Sequence, residues 1–191
     1  MLLALSFLLV GCGRGSEARP VNVENLVFKA HDLPRVRGVG APLPEPCGPI
    51  SQLKEKGGRA ALSSRFDLRD GEVVEAAAIF RGVKPARSAY RALNAPSRLR
   101  CIALALRDFT GQTVGYEQPR QLGIRDEAAV TRYKISDLSS GRSGYSNVVS
   151  LRVGRCTASI LVASGDKVAA KRLMRLSGSR AAELFSRSCG A

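Results

Sequence analysis

The 191-residue chain predicts an α+β fold, an antiparallel β-sheet covered by helices and stapled by disulfides. Three observations carry that prediction. Runs with apolar residues at alternate positions are joined by tight turns, which sets neighbouring strands antiparallel. Stretches with apolar residues three and four apart outnumber what one sheet edge can hold, so helices must cover at least one face, as a two- or three-layer sandwich. Four cysteines, at 47, 101, 156 and 189, are spread along the chain without any C-x-x-C spacing.

Met1 to Val10 is uncharged and apolar. Ten residues are too few to span a bilayer, which takes roughly 20. They match the apolar region of a secretory signal, roughly 7–15 residues. Gly11-Cys12 follows, and Gly13-Arg14-Gly15-Ser16 changes abruptly to polar, flexible chain. An apolar run closing on a small residue and then Cys resembles a bacterial lipoprotein signal. The resemblance implies that residues 1–11 are removed. It further implies that Cys12 takes a thioether-linked diacylglycerol and becomes the N-terminus. Two acyl chains suffice for a stable anchor. No Lys or Arg precedes the run, a departure from the signal pattern. A start upstream of Met1 that supplies them is the expectation. Residues 12–21 are then a linker and 22–191 one extracytoplasmic domain.

Val23 to His31 has apolar residues at 23, 26, 27 and 30, the spacing of a short helix. Residues 34–46 hold four prolines and read as irregular, extended chain. Cys47 to Lys56 reads as a short helix ended by Gly57-Gly58. Leu62, Ser64, Phe66 and Leu68 alternate onto one face of a strand over 60–68. Asp70-Gly71 is a hairpin turn, and Glu72 to Phe80 returns with Val74, Ala76, Ala78 and Phe80 on one side. Pro85 to Leu93 forms a helix, with proline tolerated in its first turn. Ser97 caps a second helix to about Phe109 that buries Cys101, Ile102, Ala105 and Leu106 or their neighbours. Gly111 ends it. Strands over 113–118 and 128–135 flank a loop at 119–125. After the polar loop 139–144 comes the clearest hairpin. Val149, Leu151 and Val153 lie on one face, Gly154-Arg155 turns, and Thr157, Ile160 and Val162 return. The terminal helix spans 167–188, with apolar positions 169, 173, 176, 181, 184 and 185 and a bend at Gly178, where glycine costs about 1 kcal/mol. No internal repeat is evident.

Five cysteines are an odd number for an exported chain. Lipidation of Cys12 leaves four, which permit three pairings. An oxidising compartment favours two bridges. A terminal helix of about 33 Å running back along a strand of about 27 Å brings Cys189 towards Cys156. Cys156–Cys189 is the expected bridge, which leaves Cys47–Cys101.

The formal net charge is +14, and most of the thirty basic residues are arginine. All lie after Cys12. Such a charge attracts polyanions; outside the cell these are lipid head groups and phosphate-bearing wall polymers rather than nucleic acid. Many of the arginines alternate with apolar residues and read as solvated faces. Aromatic residues make up 5% and Trp is absent, which argues against a sugar-stacking lectin or a single-stranded nucleic-acid platform. The only histidine is His31, so neither a zinc site nor a Ser-His-acid or Cys-His pair is expected. Asp126-Glu127 read as solvated charge. No enzyme, metal or cofactor is expected.

The segments Ala30-His31-Asp32-Leu33-Pro34 and Cys47-Gly48 carry a second resemblance, together with the hairpin strand Asn147-Val148-Val149-Ser150-Leu151-Arg152-Val153-Gly154-Arg155 and the terminal helix after it. Over roughly 22–188 the chain resembles the extracellular sensor-domain family of actinobacterial Ser/Thr kinases, the PknH-like domains, whose relatives also occur as lipoproteins. The resemblance implies an α/β sandwich with a polar cleft, paired disulfides and a ligand-binding role. A sensor without its own kinase would pass its signal to a membrane partner. The loop 139–145, with Arg142 and Tyr145, is the expected ligand surface, and Tyr116 and Tyr133 border the same cleft. The expected function is that of a lipid-anchored extracytoplasmic binding module for a small molecule. The alternative is a structural envelope protein that adheres to anionic wall polymer or lipid head groups through its charge.

Overall fold

The structure is a computed structural model and describes residues 21–41, 47–124, 126–137, 140–141 and 143–189. The opening segment with Cys12, the prolines at 42–46 and the loop residue Arg142 lie outside the described residues.

One antiparallel sheet organises the chain. Its nine strands are β1 (Val36–Gly40), β2 (Arg59–Leu62), β3 (Arg65–Leu68), β4 (Gly71–Ile79), β5 (Thr113–Tyr116), β6 (Arg120–Gln121), β7 (Glu127–Ser136), β8 (Ser143–Val153) and β9 (Cys156–Ser164). Four α-helices pack on it: α1 (Pro49–Glu55), α2 (Val83–Leu93), α3 (Pro96–Thr110) and α4 (Lys167–Cys189). The strand order is β1-β3-β4-β9-β8-β7-β5, with β2 also on β4 and β6 also on β7. The α+β class is the one the turn and periodicity pattern predicts.

Alternation decides what each face meets. Val73, Ala77 and Ile79 of β4 join Val149, Leu151, Ile160 and Val162 under α4. Ala76, Ala78 and Phe80 face α1 and α2, against Leu53, Ala86, Ala89 and Leu93. Ala103 of α3 packs on Tyr133 and Val148. Helices therefore cover both faces, as three layers.

Several local readings differ from the sequence pattern. Over 23–31 there is no α-helix but two 3-10 turns, Val23–Asn25 and Ala30–Asp32. Leu26, Val27 and Phe28 are consecutive and all buried, which one helical face does not allow. The Phe28 N–H donates to the Glu75 carboxylate at 2.9 Å instead of closing a helical turn. This segment is a strap across the sheet. The stretch after it is not wholly irregular, since β1 pairs with β3. The 60–68 strand is broken. Leu62 opposes Ala76 and Phe66 opposes Val73, so three residues stand against two and a bulge results. Ser63 fills it: its N–H donates to the Glu75 carbonyl and its Oγ accepts the Glu75 N–H. Leu62 and Phe66 consequently pack in different cores.

Thr157 does not share the face of Ile160; its hydroxyl donates to the Ala86 carbonyl of α2 at 3.1 Å. The residues of α3 that go under are Leu99, Ala103 and the Arg98 side chain, not Cys101 or Ala105. Ala95, without a side-chain cap, takes the N-cap place expected of Ser97. The loop 119–125 contains β6. The arginines are not all solvated. Arg98 and Arg152 are 4% exposed, and Arg152 lies against both Asp126 and Glu127 and donates to the Gly154 carbonyl. Asp126 and Glu127 are thus ion-pair partners rather than free surface charge.

α4 buries Ala170, Leu173, Met174, Ala181, Ala182 and Phe185, with Leu176 and Leu184 half-buried beside them. The helix runs through Gly178 uninterrupted. That residue marks close approach: a Cβ would lie 3.3 Å from Ile124 Cδ1. Both bridges are present. Cys156–Cys189 and Cys47–Cys101 have Cα separations of 5.8 and 5.9 Å.

Gly71 begins β4 with φ 153°, and a Cβ there would sit 2.1 Å from the Ala163 carbonyl oxygen. Backbone of β9 must move to admit any side chain. Gly71→Ala should destabilise the protein by more than about 2 kcal/mol in urea unfolding. An unchanged midpoint would mean that the β4–β9 approach is looser than described.

Candidate functional site

Register places the site. Lys134 of β7 opposes Tyr145 of β8, and Arg132 opposes Asn147. These residues share the face on which α4 packs, because Val130 and Val149, two positions along, belong to the α4 core. The first turns of α4 overhang them with Lys167, Ala170 and Lys171. Between the two lies a cleft of about 590 Å³, completed by Gly115, Tyr116 and Glu117 of the β5 edge and by Tyr133.

The electrostatics of the cleft are lopsided. Four cations line it (Arg132, Lys134, Lys167, Lys171) against one carboxylate, Glu117. That carboxylate lies 3.5 Å from Arg132 and 3.6 Å from Arg120. Among the described residues no acidic side chain pairs with Lys134, Lys167 or Lys171. Asn147 is 4% exposed at the base. The lining is therefore built to accept negative charge, with Tyr145 and Asn147 for neutral polar groups.

The three tyrosines expected around a cleft come to this region but play different parts. Tyr145 lines it half-exposed. Tyr116 and Tyr133 stand opposite each other on β5 and β7, ring centroids 5.7 Å apart. Their rings pack with Ala103, Val148 and Leu106 beneath α3. The Tyr133 hydroxyl donates to the Leu99 carbonyl at 3.3 Å. Burial pushes that phenol well above the ordinary tyrosine range, with the Arg98 charge opposing. Tyr133 is thus part of the wall that holds β7, not a titrating group. Arg142 lies outside the described residues, between Gly141 and Ser143 at the start of β8. Residue order alone does not reveal Arg132, Lys134, Lys167 and Lys171 as neighbours. The available signals are the alternation of Arg132 and Lys134 along a strand and the i, i+4 spacing of Lys167 and Lys171.

A second hollow of about 630 Å³ lies on the other side of the α4 start, between Arg69, Asp70, Asp166 and Arg172. Its charges balance. Arg172 pairs with Asp70, and Asp166 caps α4 by accepting the Ala169 N–H at 2.7 Å. It offers an anion less. His31 is an exposed side chain, 3.8 Å from Asp32. Asp32 is engaged elsewhere, by the Lys29 N–H and by Arg180 at 2.8 Å. Among the described residues no group of three or more His, Cys, Asp or Glu could hold a metal ion, and no helix is long and apolar enough to cross a membrane.

A three-layer α+β domain with two disulfides and a cationic cleft is the class defined so far. No protein-family model matches this chain, and no curated protein matches it. Among solved structures it is similar to the extracellular domain of PknH from Mycobacterium tuberculosis, with a TM-score of 0.53 and 9% identity. The match covers 90% of this chain and 98% of that one. At that identity the likeness establishes a shared fold.

Proposed function

We propose that this protein is a non-catalytic, extracytoplasmic binding module of the sensor type, anchored by lipid at Cys12, which takes an anionic ligand in the cleft between β7, β8 and α4. The observation that carries the reading is the excess of cations in that cleft over a buried Asn147. The fold shared with an extracellular domain and the two disulfides support export, because disulfides persist in oxidising compartments. The Gly11-Cys12 junction supports the anchor.

Two measurements test it. Metabolic labelling with a fatty-acid probe should mark the wild type and not Cys12→Ser; an unlabelled wild type removes the anchor. For the cleft the probe is a phosphorylated oligosaccharide. Lys134→Gln with Lys171→Gln should weaken binding by about tenfold, since two charge-assisted contacts are lost. Arg69→Gln with Arg172→Gln changes the charge equally and should leave binding intact. Equal losses in both pairs, collapsing with salt, would instead favour adhesion to anionic envelope polymer through diffuse charge.

A further inference from the structure

The strap enters the fold at the end of the sheet opposite the cleft. Val21, the first described residue, packs against the main core, and its carbonyl accepts from Arg59 at 2.7 Å. Around it lies a hollow of about 400 Å³ lined by Arg59, Arg81 and Arg155, with Ile79, Phe80 and Gly57 completing it. This lining contains three arginines and no carboxylate. Among the described residues none of the three has an acidic partner. Arg59 and Arg81 are exposed and Arg155 half-buried. The Phe80 N–H donates to the Arg155 carbonyl at 3.0 Å, which fixes the two strand ends that carry Arg81 and Arg155.

Position gives this cluster a partner. Eight residues, 13–20, separate Cys12 from Val21, nine Cα steps with a reach of at most about 30 Å. A lipid-anchored chain therefore keeps the Val21 end near the bilayer. Residues 12–20 themselves carry Arg14 and Arg19 against Glu17. Tyr145 of the cleft pairs with Ser164, while Val153 pairs with Cys156 at the Arg155 turn; eight strand steps set them roughly 27 Å apart. We infer that the Val21 end is a membrane-docking face, on which Arg59, Arg81 and Arg155 take the phosphates of anionic lipid while the cleft opens away from the bilayer. Guanidinium groups pair with phosphate in a bidentate fork, and a bilayer surface supplies phosphates in the plane that three such groups can share. This inference rests on the reading of Cys12 as the anchor.

The test uses the acylated protein extracted from membranes and placed in vesicles of phosphatidylcholine alone or with phosphatidylglycerol. Phenylglyoxal modifies accessible arginine, and peptide masses locate each adduct. Phosphatidylglycerol should slow modification of Arg59, Arg81 and Arg155 severalfold and leave Arg69 and Arg172 unchanged. Protection spread equally over both sets, or absent from the first, overturns the docking face. So does equal protection by inorganic phosphate over phosphatidylcholine, which marks a pocket for a free anion. An intact mass without the diacylglycerol overturns the anchor reading instead, and with it the reason for assigning this face to a bilayer.

Discussion

Urea unfolding measured across pH should show stability falling as pH rises between about 5 and 8, and Glu75→Gln should flatten that slope. Glu75 projects from β4 into the α4 side of the sheet and is completely buried. One oxygen accepts the Phe28 N–H of the strap at 2.9 Å; the other, Oε1, has no partner among the described residues. Burial pushes the carboxyl up to about 8, the Phe28 N–H opposes this, and the Asp32 charge adds to it. In the unfolded chain the same group loses its proton near its ordinary value of 4.5. Between those values the folded state holds a proton that the unfolded state has released, so raising the pH favours unfolding. The limiting slope is about 1.4 kcal/mol per pH unit for one proton. Below the lower value both states are protonated and this slope ends. Gln keeps an acceptor for Phe28 and does not titrate. The variant should match the wild type near pH 5, within about 1 kcal/mol, and exceed it near pH 8. A wild-type slope that survives Glu75→Gln would assign the dependence to another group.

The acid limb runs the other way. Burial raises the Asp32 carboxyl, but the Lys29 N–H and the Arg180 guanidinium outweigh it, and the net shift is downwards. Its contribution is present above the ordinary value of 3.8 and is lost as pH falls through the lower folded value. Glu75 and Asp32 both hold the strap, so its docking is firmest in the mildly acidic window between the two limbs.

The β8–β9 hairpin was legible because period-two alternation and the Gly154-Arg155 turn are both local. The pairing of Cys156 with Cys189 was legible too, since it needs only a helix and a strand of similar length running back to back. The strap was not. Its 23, 26, 27, 30 spacing is helical, and what overrides it is a hydrogen bond to a carboxylate 47 residues away. Glu75 itself left a trace, an acid inside the apolar run Val73 to Phe80, which a solvated-face reading passes over. The cleft was half legible. Tyr145 was expected in the loop 139–145 but lies within β8, which already starts at Ser143 because it pairs with β7 as far as Ser136; Tyr116 and Tyr133 fall in β5 and β7. The lysines and Arg132 converge only through strand register and the overhang of α4, which residue order does not contain. Charge misled in the same way. Arg152 alternates with apolar neighbours as a solvated residue does, yet the carboxylates that bury it come from β7 and the turn before it.

Loss of the Cys156–Cys189 bridge, as Cys156→Ser with Cys189→Ser, should cost about 4 kcal/mol, since the cross-link closes a separation of 33 residues. The Cys47–Cys101 bridge closes 54, and chain entropy alone makes it worth only about 0.4 kcal/mol more. Packing breaks that near-tie. Cys156 is completely buried and Cys189 nearly so, within the main core, whereas Cys47, just before α1, and Cys101 of α3 are half-buried. α4 joins β9 through Gly165-Asp166 at its start and through Cys189 at its end. Without the second hold, the final turns that carry Phe185 depend on apolar contact alone, and two serine hydroxyls enter an apolar site, which carries its own cost. The Cys156/Cys189 double variant should therefore lose more stability than the Cys47/Cys101 one, against the order of loop lengths. Amide exchange should rise first in 181–189. Equal losses in the two variants would assign the effect to the unfolded chain. A loss below about 1 kcal/mol in the first would show that α4 is held by its buried face without the cross-link.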